Sequence, residues 1–165
     1  METERLVLRQ QTSEDAGFIL SLMNDPEWLR YIGDRNIRTL EVARAHIQEG
    51  AVKMYNQHGF GLYLVELRGS HTPVGMCGLI KREFLDDVDL GFALAREYRR
   101  KGYAQEAAAA TVAYGRDTLG LRRIAAIVSP DNAASIRLLE VLGFSFERVI
   151  DYPGGDKVQL LALAT

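Results

Sequence analysis

Residues 88–128 read VDLGFALAREYRRKGYAQEAAAATVAYGRDTLGLRRIAAIV, and three different textures follow one another within them. Val88, Leu90, Phe92 and Leu94 alternate with Asp87, Asp89, Gly91 and Ala93, the two-residue period of a strand. Ala104 to Leu119 is dense in alanine and carries Gln105 and Glu106, the composition of a helix. Arg123 to Val128 returns to an apolar, β-branched run. Strand, helix and strand in this span are long enough for a parallel crossover, which is nearly always right-handed. In open α/β sheets ligands gather at the carboxyl ends of parallel strands, where the next helix opens. Here that place is Ala95 to Ala104.

Upstream, Arg5 to Arg9 alternates Leu6 and Leu8 with charged neighbours and reads as a strand. Thr12 or Ser13 then caps a helix with Ala16, Ile19, Leu20 and Met23 on one face, and Asn24-Asp25-Pro26 breaks it. Thr39 to Asn56 holds Val42, Ala45, Ile47 and Val52 in a loose apolar stripe, a second helix. Phe60 to Leu67 and Val74 to Lys81 flank Arg68-Gly69-Ser70-His71-Thr72-Pro73, an antiparallel hairpin. Downstream, Asn132 to Leu142 is a short helix closed by Gly143, where a left-handed cap is wanted. Strands near Phe144 to Ile150 and Lys157 to Leu163 are joined by Tyr152-Pro153-Gly154-Gly155-Asp156. The predicted order is β-α-α-β-β-β-α-β-α-β-β, a mixed α/β fold. No repeat or linker divides the chain, so residues 1–165 are expected to form one domain.

The 165 residues, 47% apolar and 25% charged, suffice for one ordinary core. With 20 basic and 22 acidic side chains the net charge is −2, so no global positive field holds a nucleic acid and any polyanion site must be local. The first residues lack the apolar core of a signal peptide, and no run approaches the roughly 20 residues of a membrane span. A cytoplasmic location with no membrane partner is the expectation. Cys77 is the only cysteine, which excludes an intramolecular disulfide and a cysteine-based metal site. It reads as a small buried hydrophobe rather than a nucleophile. His46, His58 and His71 lack metal-ligand spacing, so no metal is expected.

The loop Arg96-Glu97-Tyr98-Arg99-Arg100-Lys101-Gly102-Tyr103-Ala104 sets three cations beside a glycine at a helix amino end. Free N–H groups point outward there, the helix dipole is positive, and Gly102 permits close approach or a positive φ. Each such charge or dipole effect contributes only about 0.3–1 kcal/mol. Their convergence is what suits a phosphate or diphosphate. Neither a Walker loop nor a dinucleotide fingerprint is present. The plainer reading is a solvated basic turn whose glycine relieves strain.

Arg99-Arg100-Lys101-Gly102-Tyr103-Ala104 fits the Arg/Gln-x-x-Gly-x-Gly/Ala signature, and here the chain resembles the GCN5-related N-acetyltransferase (GNAT) superfamily. The runs 89–95, 102–107 and 132–144 are similar to its RimJ/RimL-type branch, as are Glu4 to Arg9 and Asn24-Asp25-Pro26-Glu27. The likeness runs in order through nearly the whole chain. It implies an acyl-CoA N-acyltransferase fold: a mixed, mostly antiparallel sheet flanked by helices, with a parallel β-α-β splay. It also implies acetyl-CoA as co-substrate, its pyrophosphate on Arg99, Arg100, Lys101, Gly102, Tyr103 and Ala104. Its pantetheine arm would enter the splay along the main chain of Phe92, Ala93 and Leu94, where an N–H could also stabilise the oxyanion. The side chains of Phe92 and Leu94 read equally as core.

Asn132 and Ser135 match the Asn-x-x-Ser that opens the family's next helix, although Asn is also among the best N-caps. Many relatives carry a tyrosine seven residues after this Asn, where it protonates the departing thiolate. Leu139 stands there instead, leaving Ser135 or a water for that task. Asp89 stands where relatives often carry a glutamate and would take the amine's proton through water or attract the ammonium. With Asp86 and Asp87 nearby, a solvated acidic strand end is the competing reading. Trp28, Tyr31 and Ile32 follow the helix break where the family builds part of its acceptor pocket, or else form a helix–helix contact. The Gly154-Gly155 turn edges that pocket or is a plain hairpin joint.

Neutralising a lysine-type amine of pKa near 10.4 costs about 4–5 kcal/mol at pH 7, against about 1–1.4 for a peptide α-amine near 7.7–8.0. A site with no strong base suits the second. The expected activity is acetyl transfer to a primary amine, a peptide N-terminus of the ribosomal-protein type or a small molecule, by direct attack without an acyl-enzyme. A non-catalytic acyl-CoA sensing module is the rival, and a homodimer is compatible with every residue read here.

Overall fold

The computed structural model describes residues 1–165. Its strands are β1 Leu6–Arg9, β2 Leu62–Leu67, β3 Pro73–Lys81, β4 Val88–Leu94, β5 Arg123–Val128, β6 Ser145–Asp151 and β7 Lys157–Ala164. They form one seven-stranded sheet in the order β1-β2-β3-β4-β5-β7-β6. Every neighbouring pair is antiparallel except β4 and β5. The helices are α1 Ala16–Met23, α2 Pro26–Tyr31, α3 Leu40–Ile47, α4 Lys53–His58, α5 Tyr103–Asp117 and α6 Ala133–Val141.

The predicted elements are present, with two corrections. Asn24-Asp25-Pro26 does end α1, but it also starts α2: the Asp25 carboxylate accepts the Glu27 N–H at 3.0 Å and Pro26 occupies the first turn. An Asp-Pro pair that stops one helix is chemically equipped to open another. The helix expected over Thr39 to Asn56 is interrupted by a π turn at Gln48–Val52. Ala43 and Ile47 face the core, while Val42 of the predicted stripe is 41% exposed. On α1 the inward face is Ala16, Ile19, Leu22 and Met23, with Leu20 only half-buried.

Two apolar layers cover the sheet. One gathers Leu6, Val65, Cys77, Leu90, Ala107, Ile124, Leu139 and Leu161; the other gathers Ile19, Trp28, Ile47, Leu64 and Met76. Fully burying each large aliphatic side chain stabilises by about 1.5–3 kcal/mol. Helix α5 lies close because its inward residues are small: Ala107, Ala108, Thr111 and Gly115. A Cβ on Gly115 would stand 2.9 Å from Ile124 Cδ1. Cys77 sits in this layer with its Sγ 3.4 Å from Thr111 Oγ1, and burial pushes its thiol up to about 12. Such a thiol is inert near neutral pH. No helix is long and apolar enough to cross a membrane.

The feature that positions the site is the β4–β5 pairing. Its register consists of a single Cα pair, Asp89↔Ala125. Strand β4 stays paired with β3 from Val88 to Leu94, and β5 stays paired with β7 from Arg123 to Val128. Past Asp89 the two parallel strands therefore part, and the facing edge of β4 has no partner strand.

Candidate active site

A short 3-10 turn, Arg96–Tyr98, carries the chain from β4 to the loop before α5. Arg100 has φ +61 and Gly102 φ +82, left-handed conformations that glycine adopts freely and arginine does not. With these bends, six consecutive backbone N–H groups, from Arg100 to Gln105, donate to nothing in the protein. The intrahelical ladder starts only at Glu106, whose N–H reaches Gly102 O at 3.1 Å. An array of unpaired amides at the positive end of a fifteen-residue helix is an anion cradle.

The three loop cations have different fates. The Arg99 guanidinium pairs with Asp25 at 2.7 Å and Glu27 at 3.0 Å and donates to Leu94 O at 3.0 Å. Its own N–H goes to Arg96 O, so Arg99 ties the loop to α2. Lys101 Nζ lies 5.7 Å from the Tyr98 ring centroid and does not reach the cleft. Arg100 does line it, joined by Arg137 of α6, which the sequence reading missed. The reading also missed Arg5. Its Nη1 donates to Lys101 O at 2.9 Å, its Nε meets Glu106 at 2.7 Å, and its guanidinium stacks 4.5 Å over the Tyr103 ring.

Two connected cavities fill the splay. One, about 490 Å³, is lined by the loop residues Arg99, Arg100, Gly102, Tyr103 and Ala104 together with Leu94. The other, about 650 Å³, lies on the far side and reaches Asp89, His46, Arg82 and Tyr152. Trp28, Tyr31, Ile32, Phe92, Ala93, Asn132 and Ser135 line both, so they surround the junction. The predicted residues thus fall on one continuous cleft, Lys101 excepted. Phe92 faces the cleft while Leu94, 7% exposed, also belongs to the core.

Asp89 is 1% exposed, which corrects the reading of a solvated strand end. Asp86 and Asp87 precede β4, whereas Asp89 is flanked by Ile80 on β3 and Ala125 on β5 in mid-sheet. Its Oδ1 accepts the Arg82 Nε–H at 2.9 Å, and its Oδ2 has no partner. Burial pushes its carboxyl above the ordinary range, with Arg82 opposing. Two buried side-chain polar atoms in the chain lack a partner, Asp89 Oδ2 and Trp28 Nε1, and both residues line the larger cavity. An acceptor and a donor without partners on residues of one cavity lining fit a ligand that carries both an N–H and a carbonyl.

Asn132 does cap α6, its Oδ1 accepting the Ser135 N–H at 3.3 Å, and it lines the cleft as well. The Ser135 hydroxyl has no hydrogen bond within the protein. Leu139, in the tyrosine position of many relatives, is 1% exposed core. The hairpin turn closes through Tyr152 N–H to Asp156 O at 2.7 Å, and both residues also edge the cavity. His46, Arg35, Arg82 and Tyr152 carry no motif, and only the fold brings them together.

A family model described as an acetyltransferase (GNAT) domain matches residues 5–145. The uncharacterized N-acetyltransferase YoaA of Bacillus subtilis (strain 168) is 35% identical over 151 residues, 91% of this chain and 85% of YoaA. An acetyltransferase from Agrobacterium tumefaciens str. C58 superposes with a TM-score of 0.85 at 22% identity, covering 100% of this chain and 94% of that one. RimL, a ribosomal L7/L12 alpha-N-protein acetyltransferase solved in complex with coenzyme A, superposes at 0.83 with 19% identity over 98% of this chain and 95% of RimL. At these identities the two structural likenesses speak to the fold, and the mixed sheet with its parallel splay matches it. No group of three or more His, Cys, Asp or Glu is arranged to hold a metal ion.

Proposed function

This chain belongs to the acetyltransferase (GNAT) domain family and is an acetyltransferase, and on that premise we propose that it acetylates an α-amine from acetyl-CoA in a ternary complex. The observation that carries the reading is the conjunction of the single-pair β4–β5 register with six unpaired amides at the mouth of the gap it leaves. The amides of Arg100 to Gln105, with Arg100 and Arg137 beside them, match a diphosphate in charge and donor number. The unpaired β4 edge from Gly91 to Leu94 offers main-chain partners to an amide-bearing arm. Acetyl-CoA, when bound, supplies the activated acyl group as a thioester.

The rest is work for this chain's side chains. Asp89 Oδ2 accepts from the incoming ammonium and takes its proton directly or through one water. The raised pKa of this carboxyl brings it closer to that of an α-amine, which general-base catalysis rewards. Trp28, Tyr31 and Ile32 wall the junction against water, and Ser135 returns a proton to the departing sulfur, alone or through a water. Holding both substrates in one cleft supplies much of the acceleration. RimL's action on a protein α-amine supports the choice of α-amine over lysine, and a cytoplasmic location goes with such a substrate.

Calorimetry with coenzyme A, followed by thiol release with a panel of peptide N-termini and small amines, tests this. Saturable binding with thiol release for at least one α-amine is the expected result. Binding without release for any amine would make the chain an acyl-CoA sensor, a reading that the buried Leu139 keeps in play. No binding would dispose of both.

A further inference from the structure

The far end of the larger cavity holds more hydrogen-bond donors than it can use. Tyr152, set by Phe84 packing edge-on at 5.4 Å, receives two guanidiniums on one phenol oxygen. Arg35 Nη2 donates at 2.7 Å and Arg82 Nη1 at 3.4 Å. A phenol oxygen with both acceptor sites taken must aim its own O–H elsewhere, and that O–H finds no acceptor in the protein. Each guanidinium has five donors, and Arg35 uses one of them.

Charge tells the same story. Of the charged side chains lining this cavity, Arg30 pairs with Asp131 at 3.4 Å, Arg82 with Asp89, and Lys157 with Asp151. That leaves Arg35 and Asp156 without an ion-pair partner; both are exposed, Asp156 on the hairpin tip and Arg35 held against Tyr152. Burial and the Arg35 charge hold His46 below its usual range, so it adds no second free cation near neutral pH. The cluster therefore brings two guanidiniums together at a phenol whose O–H is free, and one of them, Arg82, also holds Asp89, whose remaining oxygen has no partner.

We propose that Arg35, Arg82 and Tyr152 form an anion-recognising end of the acceptor cavity, and that the acceptor is an α-amine with a carboxylate a short distance from its nitrogen. The inference rests on the acetyltransferase reading above and names its substrate class. The spacing follows from Arg82, which touches Asp89 with Nε and Tyr152 with Nη1. The ammonium site and the carboxylate site are separated by about one guanidinium. An oligoamine is disfavoured, because its further ammonium groups would meet Arg35 and Arg82. Elsewhere the cavity wall includes Met23, Met54 and Met76, three of the chain's four methionines, an adaptable surface for an apolar side chain.

The carboxylate is either that of a free amino acid or the side chain of a peptide's second residue, and two matched pairs separate these. Acetylation is measured by thiol release for methionine against methioninamide, and for Met-Asp amide against Met-Asn amide. In one pair the carboxylate member should have at least a tenfold higher kcat/KM, although the amide of methionine is the easier nucleophile. Arg35→Gln should cut that ratio at least tenfold, through KM. Tyr152→Phe, which removes only the hydroxyl, should cut it less. Equal rates or amide preference in both pairs, or a ratio untouched by Arg35→Gln, overturns the inference. Acetylation of other amines with all four compounds inert overturns it too, yet leaves the acetyltransferase reading standing; thiol release from no amine at all removes both.

Discussion

The two ends of the cleft are made of different materials. The diphosphate-sized cradle is main chain: six amides from one continuous stretch, bent by two left-handed residues and backed by a helix. The acceptor end is side chain: Arg35 from the loop after α2, His46 from α3, Arg82 from the β3–β4 connection, Asp89 from β4 and Tyr152 from the β6–β7 turn. A site made of amides is tied to backbone shape and tolerates changes of side chain that leave the shape alone. A site made of side chains can be rewritten one residue at a time without disturbing the fold. The first suits a co-substrate common to a family, the second an acceptor that differs between its members.

The largest expected effect breaks the main-chain end. Gly102 stands at φ +82, and a Cβ there would approach Arg5 Nη2 to 3.1 Å. Gly102→Glu adds a strained left-handed residue and places a carboxylate among amides that await an anion. Like-charge juxtaposition costs several kcal/mol, so coenzyme A affinity should fall about 10³-fold, read by calorimetry. Arg100→Ala changes only a side chain of the same loop and should keep most of the binding. If the two variants lose affinity alike, the cradle is not built of amides.

The second effect belongs to the side-chain end. Asp89→Asn should lower kcat by about 10²–10³ with coenzyme A affinity unchanged, since the substitution removes a base rather than a cradle. Wild-type kcat/KM should fall as acid protonates the buried carboxylate, beginning well above the pH of an ordinary aspartate. The variant should lack that acidic limb. Folding stability carries the same signature. A carboxyl whose folded pKa is raised stabilises the fold most below its unfolded value near 3.9, and the contribution is lost as pH rises through the folded one. Wild type should therefore lose stability relative to Asp89→Asn as pH climbs from about 4, and equal slopes would mean that Asp89 is not desolvated.

The same contrast explains what could be read from the chain beforehand. Gly102 and its cationic neighbours form a contiguous motif with a local physical meaning, so the cradle and the crossover around it were legible. Arg99 was legible as a position but not in its use: its ion pairs to Asp25 and Glu27 depend on an α2 helix hidden behind what looked like a plain break. Asp89 was placed on the right strand, yet its burial depends on pairing with β3 and β5 on both sides, which alternation along one strand does not reveal. Arg35, Arg82 and Tyr152 are spread over more than a hundred residues of sequence and become a cluster only when the sheet closes.

The smallest effect asks whether the cradle is really autonomous. Arg5 precedes β1, far from the loop in sequence, but it donates to Lys101 O, meets the Glu106 carboxylate and stacks on Tyr103. Burial works against ionising Glu106, yet hydrogen bonds from Thr3 and from Arg5 hold its carboxyl below the usual range, so this clamp is charged at neutral pH. Arg5→Ala leaves every cradle amide in the chain and removes what aims them. Positions in such networks shift affinity by about two- to thirtyfold, and a loss in the lower part of that range is expected for coenzyme A, with acceptor KM unchanged. Arg5→Lys, a point charge with no fork to span Lys101 O and Glu106 together, should recover little of it. Full recovery by lysine would mean that the charge near the diphosphate matters and the aiming does not, and the cradle would then owe its strength to side chains after all.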